Sequence, residues 1–550
     1  MLVLTPVTVA VSRHNNPDAL LALCCTAALW CLVRSLRDGR TRWLVAAGVC
    51  VGLGFEAKMA AALMVVPAIA AAWLWIAPRG RLRAVRQLLA GAAAMVAVGG
   101  AWPLLVALTP AADRPWISGT ADNSIWSLIM GYNGLGRIFG QAGGPGGGAG
   151  PGGGGGGGLF GGQPGPLRLL NASLGGQGGW LLGFAAVAGI GLLAMTRLRR
   201  ADARSGWLIA VGGSFAVTAL AFSQAVGIFH PYYVSLLAPF GAALVGAGAG
   251  QVLRGDRAAR VLGPLAIAGG VATEIVVLRH NPGQLTWLPG VLVVGGLAAS
   301  VALVVRDPRA RVRRIALAAA LGLLLLAPAT WAFQTLGHPT NGTFPSGGPA
   351  SAGMAGGGPG GPGGRGPGGL GGGARPPGGA FGGGPPPGGA FGGGAPVGAP
   401  GAGGAPGAPP RPPGMAPGTS GASGSSRPFG GDTQSLTAAL RYVRQHGGGT
   451  IAVSSQSGAA GQLITSGADV AAIGGFSGRE SQVSVAWLAD AVDAGRIRWV
   501  VTTGGSGGMR DARIGSMTAM AAVARSCAPV SSVDGLYDCS HAAAALRAGA

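Results

Sequence analysis

The chain has 550 residues, of which 109 are Gly and 39 Pro, with 49% apolar residues and only 10% charged ones. An ordinary soluble domain carries about 25% charged residues, so a single soluble globule is excluded, and the mean hydropathy of +0.45 calls for strongly apolar spans mixed with Gly/Pro-rich segments. The net charge, 39 basic against 17 acidic residues or +22, would suit nucleic acid on a soluble face, but its placement points to a membrane and no nucleic-acid partner is expected. Lys58 is the only lysine, and arginines gather in five short clusters between apolar runs, Arg34 to Arg42, Arg79 to Arg86, Arg197 to Arg204, Arg254 to Arg260 and Arg306 to Arg314. Short Arg-rich loops of this kind mark the cytoplasmic side of a membrane.

In chain order, Met1 to Val11 is apolar but half the length a span needs, so the chain is expected to start inside a transmembrane helix of a longer protein. It lacks the basic start and cleavage site of a secretory signal. Ten runs then have the length or apolarity to cross about 30 Å of hydrocarbon: Pro17 to Val33, Trp43 to Phe55, Met59 to Ala77, Ala84 to Leu108, Trp180 to Thr196, Gly206 to Phe222, Val234 to Leu253, Val261 to Leu278, Leu285 to Val305 and Ile315 to Phe333. With every Arg cluster inside, two crossings must meet at Glu56-Ala57-Lys58. The outer side receives Arg13 to Asp18, Glu56 to Lys58, Thr109 to Gly179, Ser223 to Tyr233, Arg279 to Gln284 and everything after Gln334.

Two tracts, Gln141 to Gly158 and Ser346 to Gly431, lack the apolar side chains that offset ordering entropy and are expected to be disordered spacers. Beyond them, helix patterns at 433–445, 458–465 and 484–494 alternate with strand patterns at 450–453, 470–473 and 497–502, which predicts a small parallel α/β unit. Gly-rich loops at 474–478 and 504–508 would stand at the C-terminal ends of its strands, where such sheets bind ligands; plain turn chemistry is the alternative. Cys527 and Cys539 make a plausible disulfide if this end is extracytoplasmic, whereas Cys24, Cys25, Cys31 and Cys50 lie in apolar runs without metal spacing. The domains are therefore 1–333, a multi-span membrane domain with the outer loop 109–179; 334–431, a Gly/Pro/Ala linker; and 432–550, an extracytoplasmic α/β domain. The fold class is an α-helical polytopic membrane protein with a disordered linker and a small C-terminal α/β domain.

Ionisable residues at membrane depth are costly and are functional candidates. Lys58 stands beside Glu56 in a chain that otherwise uses Arg for every positive charge. An ammonium is a compact point charge suited to phosphate, so Lys58 either holds a lipid phosphate at the outer mouth or pairs with Glu56 to cap two helix ends. Arg13, His14, Asn15, Asn16 and Asp18 form a second outer cluster, in which Pro17 and Asp18 also suit a helix start. Phe229, His230, Pro231, Tyr232 and Tyr233 form a third, alternatively read as an aromatic belt. A shared polar cavity on one face is expected from the three together. Glu274 lies in a span without an evident partner and has no assigned role. No P-loop or H-E-x-x-H motif is present, and the G-x-S-x-G spelled by Gly504-Gly505-Ser506-Gly507-Gly508 carries no weight in a chain with 109 Gly.

At Ser12-Arg13-His14-Asn15-Asn16-Pro17-Asp18-Ala19-Leu20-Leu21, Gly54-Phe55-Glu56-Ala57-Lys58-Met59, Gly131-Tyr132-Asn133-Gly134-Leu135-Gly136-Arg137 and Gly227-Ile228-Phe229-His230-Pro231-Tyr232-Tyr233 the chain resembles the family 39 glycosyltransferases. These are the GT-C membrane enzymes that include protein O-mannosyltransferases and aminoarabinose transferases, and the likeness is to actinobacterial members in particular. The resemblance implies transfer of mannose or a related sugar from a polyprenyl-phosphate donor to a protein or glycolipid acceptor outside the plasma membrane. By the same resemblance Lys58 matches the lysine near the donor phosphate, and Asp18 the aspartate that opens the following helix at the active-site mouth. From the three outer clusters, Arg13 is expected to join Lys58 on the donor phosphate and Asp18 to line the cavity. Asn16, Glu56, His230 and Tyr233 line the cavity, and Tyr132 and Asn133 lie in the loop near the acceptor. The family's general base lies in an outer loop that would precede Met1, so no catalytic residue is assigned. No cofactor or protein metal site is expected, and a divalent cation is left open. The rival readings are a catalytically dead lipid-phosphate-binding fragment and a transporter, the second disfavoured because polar clusters gather at one face rather than at the midplane of repeated halves.

Overall fold

The apolar runs fold as helices because only an intra-segment ladder satisfies the backbone in lipid. The computed structural model describes residues 1–139, 160–305, 310–338, 344–349, 433–502 and 514–549. The membrane half comprises α1 (Pro6–Ser12), α2 (Asp18–Asp38), α3 (Thr41–Lys58), α4 (Val66–Ile76), α5 (Arg81–Gly99), α6 (Ala101–Leu108), α7 (Leu182–Thr196), α8 (Ala203–Gln224), α9 (Ala238–Arg254), α10 (Arg257–Arg279), α11 (Leu288–Val304), α12 (Ala310–Leu324) and α13 (Leu326–Leu336). Every predicted span therefore contains helix. Among the described residues, six helical stretches are long and apolar enough to cross a membrane, Asp18–Asp38, Thr41–Ile76, Arg81–Gly99, Arg204–Gln224, Pro231–Arg254 and Arg257–Arg279. The pair α12 and α13, bent by 44°, makes a seventh, while α7 and α11 are shorter apolar helices. The predicted span from Ala84 to Leu108 is divided at Gly100 into α5 and α6.

The 36-residue stretch Thr41–Ile76 is not one rod. At its middle the backbone leaves helical geometry, with Lys58 at φ −153°, ψ 35° and Met59 at φ 43°, ψ −126°. The chain folds back there: a Cβ on Gly54 would lie 3.1 Å from the Ala62 Cβ, residues that an uninterrupted helix sets about 12 Å apart along its axis. Two arms thus meet at Lys58, as the charge pattern requires. At the opposite end the Arg-rich turns gather. Arg79 donates to the Asp38 carbonyl, Arg200 lies over the Trp75 ring and Arg313 donates to the Leu253 carbonyl.

The carboxy-terminal half contains α14 (Thr433–Gln445), β1 (Ile451–Val453), α15 (Gln456–Ser466), β2 (Val470–Ala472), α16 (Val485–Asp493), β3 (Trp499–Val501), α17 (Met517–Ser526), β4 (Ala528–Pro529), β5 (Leu536–Asp538) and α18 (Ala543–Ala548). The sheet runs β2-β1-β3-β5-β4. β1 is parallel to β2 and β3, with Ile451 opposite Val470 and Trp499, but β5 is antiparallel to β3 and β4. The sheet is thus mixed, which corrects the all-parallel expectation; the two unread strands are only two and three residues long, and Pro529 suits an edge. Strand alternation sorts the core into two layers. Ala452 and Val500 pack with Leu488, Val492, Val523 and Leu546, while Ile451, Val453, Trp499 and Val501 pack with Leu436, Leu440 and Val443. Cys527 and Cys539 form a disulfide.

Residues on both sides of the linker, in Met1–Gly360 and Arg427–Ala550, belong to one compact unit. The start of the predicted linker is tied down: Gln177 exchanges two hydrogen bonds with the Gly347 backbone at 2.7 and 3.0 Å, and Gly348 donates to the Thr335 hydroxyl at 2.7 Å. A backbone segment entering apolar surroundings needs such partners, and Gly347 fits because a Cβ there would meet Pro6 backbone at 2.3 Å. The rest of the predicted spacers, 141–158 and 350–431, and the loop 504–508 lie outside the described residues.

Candidate functional site

Lys58 ends α3 and Asp18 begins α2, so each charge sits at the helix end whose dipole favours it. The Lys58 ammonium lies 2.6 Å from both carboxylate oxygens of Asp18. It also lies over the Tyr233 ring at 3.9 Å and the Tyr232 ring at 5.0 Å, within the range of a cation–π contact. Asp18 is shut in, its side chain 2% exposed, whereas that of Lys58 is 22% exposed. An approaching ligand therefore meets the ammonium and not the carboxylate. The pair stands on a strained junction, since a non-Gly residue at the φ of Met59 is sparsely populated and persists where the surroundings over-determine it.

Three further segments converge here. Asn16 accepts the Asp18 backbone N–H at 2.9 Å, an Asx turn that sets the entry of α2. Asn133 donates towards Met59 Sδ at 3.3 Å. Arg137 donates to Asn133 Oδ1 and the Ile228 carbonyl, and lies over the Tyr132 ring at 4.8 Å. His230 is stacked on Tyr232 at 5.5 Å, edge-on to Tyr233 at 5.4 Å and stacked on Phe344 at 4.5 Å. Burial holds the His230 imidazole well below its ordinary pKa, and the Arg137 and Lys58 charges push the same way; it is neutral at pH 7. Two cations against one carboxylate leave this cluster with a net positive charge, suited to a single anionic group.

The structure separates two residues from the pair. Glu56 is exposed and accepts the Trp102 backbone N–H at 3.3 Å, so the alternative of a Glu56–Lys58 pair is set aside: residues two apart on a helix do not face each other. Glu56 consequently joins α3 to α6 instead of lining the Lys58 side. Arg13 is exposed and donates to the Thr335 carbonyl of α13. The loop 474–478 uses its carbonyls structurally, with Gly475 and Phe476 accepting the first N–H groups of α15, which is the turn-chemistry alternative for that loop.

Sequence reasoning named no role for Arg168. It is 3% exposed, donates to the carbonyls of Gly161, Phe222 and Ala225 and lies over the Phe229 ring at 4.6 Å, so it fixes the backbone that delivers His230. Burial lowers its pKa to about 10, leaving it cationic at neutral pH. The available signal was position, because Arg137 and Arg168 both lie outside the five Arg clusters. Phe344 carried no such signal, being one aromatic residue at the edge of the predicted spacer.

Residues 1–105 match the family model described as "Dolichyl-phosphate-mannose-protein mannosyltransferase", and residues 436–521 match that described as "Putative mannosyltransferase YkcB-like, C-terminal". The first match contains Arg13, Asn16, Asp18, Glu56 and Lys58. Two Bacillus subtilis (strain 168) proteins are similar over much of the chain. "Putative mannosyltransferase YkcB" is 31% identical over 438 residues, 63% of this chain and 60% of that protein. "Putative mannosyltransferase YycA" is 29% identical over 436 residues, 64% and 62% respectively. The aligned region thus spans about three fifths of the length of these relatives. No solved structure matches the chain.

Proposed function

We propose that the chain is a membrane mannosyltransferase that moves mannose or a related sugar from a polyprenyl-phosphate donor to a hydroxyl acceptor on the extracytoplasmic face. The observation that carries this reading is the Lys58–Asp18 pair, open on its ammonium side and framed by Tyr232 and Tyr233, at the bundle end away from the Arg-rich turns. In the transfer, the bond from the anomeric carbon to the phosphate oxygen breaks, its electron pair stays on the phosphate, and the acceptor oxygen bonds the same carbon. Lys58 and Arg137 stabilise the charge that grows on the leaving phosphate. Asp18 holds the ammonium in place, Asn16 and His230 fix the walls, and Tyr132 and Asn133 stand on the acceptor side. Arg13 contributes to phosphate binding only if its guanidinium leaves the Thr335 carbonyl. No residue of this chain is assigned as the base that takes the acceptor proton.

That assignment favours one second reading, a lipid-phosphate binder without turnover, because Asp18 is already engaged by Lys58. The test compares Lys58→Met with Lys58→Met/Asp18→Leu in the full-length membrane protein. Leaving Asp18 buried and unpaired destabilises the single variant, and replacing both partners by apolar groups restores stability. The phosphate role predicts that the double variant regains its melting temperature but neither polyprenyl-phosphate binding nor sugar transfer. Recovery of transfer in the double variant would reduce the pair to a structural bridge, and binding without transfer in the unmodified protein would favour the second reading.

A further inference from the structure

The carboxy-terminal domain follows a long Gly/Pro-rich segment, yet its described contacts lead back to the Lys58 cluster by two routes. The first passes through the outer loop of the membrane half. Trp116 packs into the carboxy-terminal core and meets Trp487 edge-on at 6.0 Å. The Gly119 N–H donates to the Ser481 hydroxyl at 3.1 Å, the Gln482 N–H donates to the Thr120 carbonyl at 3.2 Å, and Arg496 donates to the Ala112 carbonyl at 2.6 Å. Gly119, at φ +84°, presses on Tyr132, whose ring lies 3.0 Å from where a Cβ would stand. Tyr132 in turn carries the Arg137 guanidinium.

The second route is a run of rings. Phe476, in the loop after β2, lies 6.0 Å from Phe344; Phe344 stacks on His230 at 4.5 Å; and His230 meets Tyr233, the ring beneath the Lys58 ammonium. Phe344 also packs against Phe160 at 5.3 Å. It is held from behind by the Gly347 and Gly348 hydrogen bonds to Gln177 and Thr335. Such ring pairs contribute beyond their buried area and impose relative orientation.

We propose that the carboxy-terminal domain is the acceptor-side wall of the site, docked on the outer loop through Trp116 and Thr120, with Phe344 and Phe476 as positioning residues that hold His230 and Tyr233 around Lys58. The partner this surface fits is the protein's own outer loop, and the consequence for specificity is that an acceptor reaches Lys58 between the two halves. The domain side and the membrane side of this wall lie on one face, whichever face that is. The part of the proposal that concerns the acceptor rests on the sugar-transfer reading; the docking does not.

Two measurements on the full-length protein in membranes test it. Thr120→Cys/Gln482→Cys puts one thiol on each of the two residues joined by that backbone hydrogen bond, and a disulfide forms only where the two segments stay within about 7 Å, Cα to Cα. The expected result is spontaneous cross-linking in most molecules with transfer retained. Absence of the cross-link overturns the docking, and a cross-linked protein without transfer overturns its role as part of the working site. This readout stands even if the chain transfers no sugar. Separately, Phe476→Ala and Phe344→Ala are expected to raise the acceptor KM by about five- to tenfold, the worth of one aromatic contact, with Phe476→Tyr restoring it. An unchanged acceptor KM in both variants, with Arg547→Ala as the unaffected control, overturns the positioning role.

Discussion

The two halves of the molecule keep themselves together by different means. In the membrane half, large apolar side chains such as Leu23, Trp30, Leu89, Val96, Ile190 and Leu297 point outward as readily as others point inward. Burial of apolar area does not distinguish core from surface when the solvent is lipid, so close backbone approach takes over. A Cβ on Gly48 would lie 2.0 Å from the Gly91 carbonyl oxygen, and one on Gly183 would lie 2.1 Å from that of Gly269. In the carboxy-terminal half the described exposed large apolar residues are few, Leu463, Ile464, Ile514 and Met517, and alternate strand residues sort to two cores as water demands. The lesson is that a glycine is a contact in one half and mainly a turn in the other.

That contrast can be broken in a graded series. The largest effect is expected at the polar pair: Lys58→Met leaves Asp18 uncompensated and costs about 3–5 kcal/mol, read as a fall in the melting temperature of the detergent-solubilised protein. A smaller loss would mean the membrane half tolerates the carboxylate. Next, Cys527→Ser opens a loop of twelve residues and costs about 3 kcal/mol. Amide exchange should accelerate across β4, β5 and α17 while α3 and α5 keep their protection, and an equal response in both halves would blur the distinction between them. Gly48→Val follows, at about 1–3 kcal/mol of overpacking or more, with exchange now faster in α3 and α5.

A pH effect ranks below these. The folded-state pKa of His230 is depressed, so the unfolded chain binds the proton first, and the stability contributed by the neutral ring is present above about pH 6.5. It is lost as pH falls from there towards the folded-state pKa. His230→Gln should flatten that part of a melting-temperature profile, and an unaltered acid limb would show that the ring is not held neutral. Smallest is Arg547→Ala, which removes exposed ion pairs to Asp490 and Asp493 and should leave the melting temperature within measurement error, since exposed pairs contribute little.

Much of the fold could be read along the chain because its causes are local. The spans follow from runs of apolar residues, the meeting of two arms at Lys58 from the Arg-rich turns on either side, and α14, β1 and α16 from short-range periodicity. β4, two residues ending in Pro529, and β5 escaped, and their antiparallel pairing turned a parallel unit into a mixed sheet. At the site, the three polar segments were visible as residues out of place in an apolar chain. Their partners were not, for pairing is a property of geometry: Lys58 ignores Glu56 two positions away and takes Asp18 forty positions away, while Arg13 is spent on α13.

The sequence by itself determined that this protein lives in a membrane, which end of the bundle carries the Arg-rich turns, and which polar residues are available for chemistry, because hydropathy, charge placement and residue type are all local quantities. Only the tertiary structure decided that the ammonium is offered outward while Asp18 is buried, and that Trp116 and Phe344 bring the carboxy-terminal domain onto the same cluster. Each of these depends on contacts between residues distant in the chain, whose free energy exists only once the helices have packed.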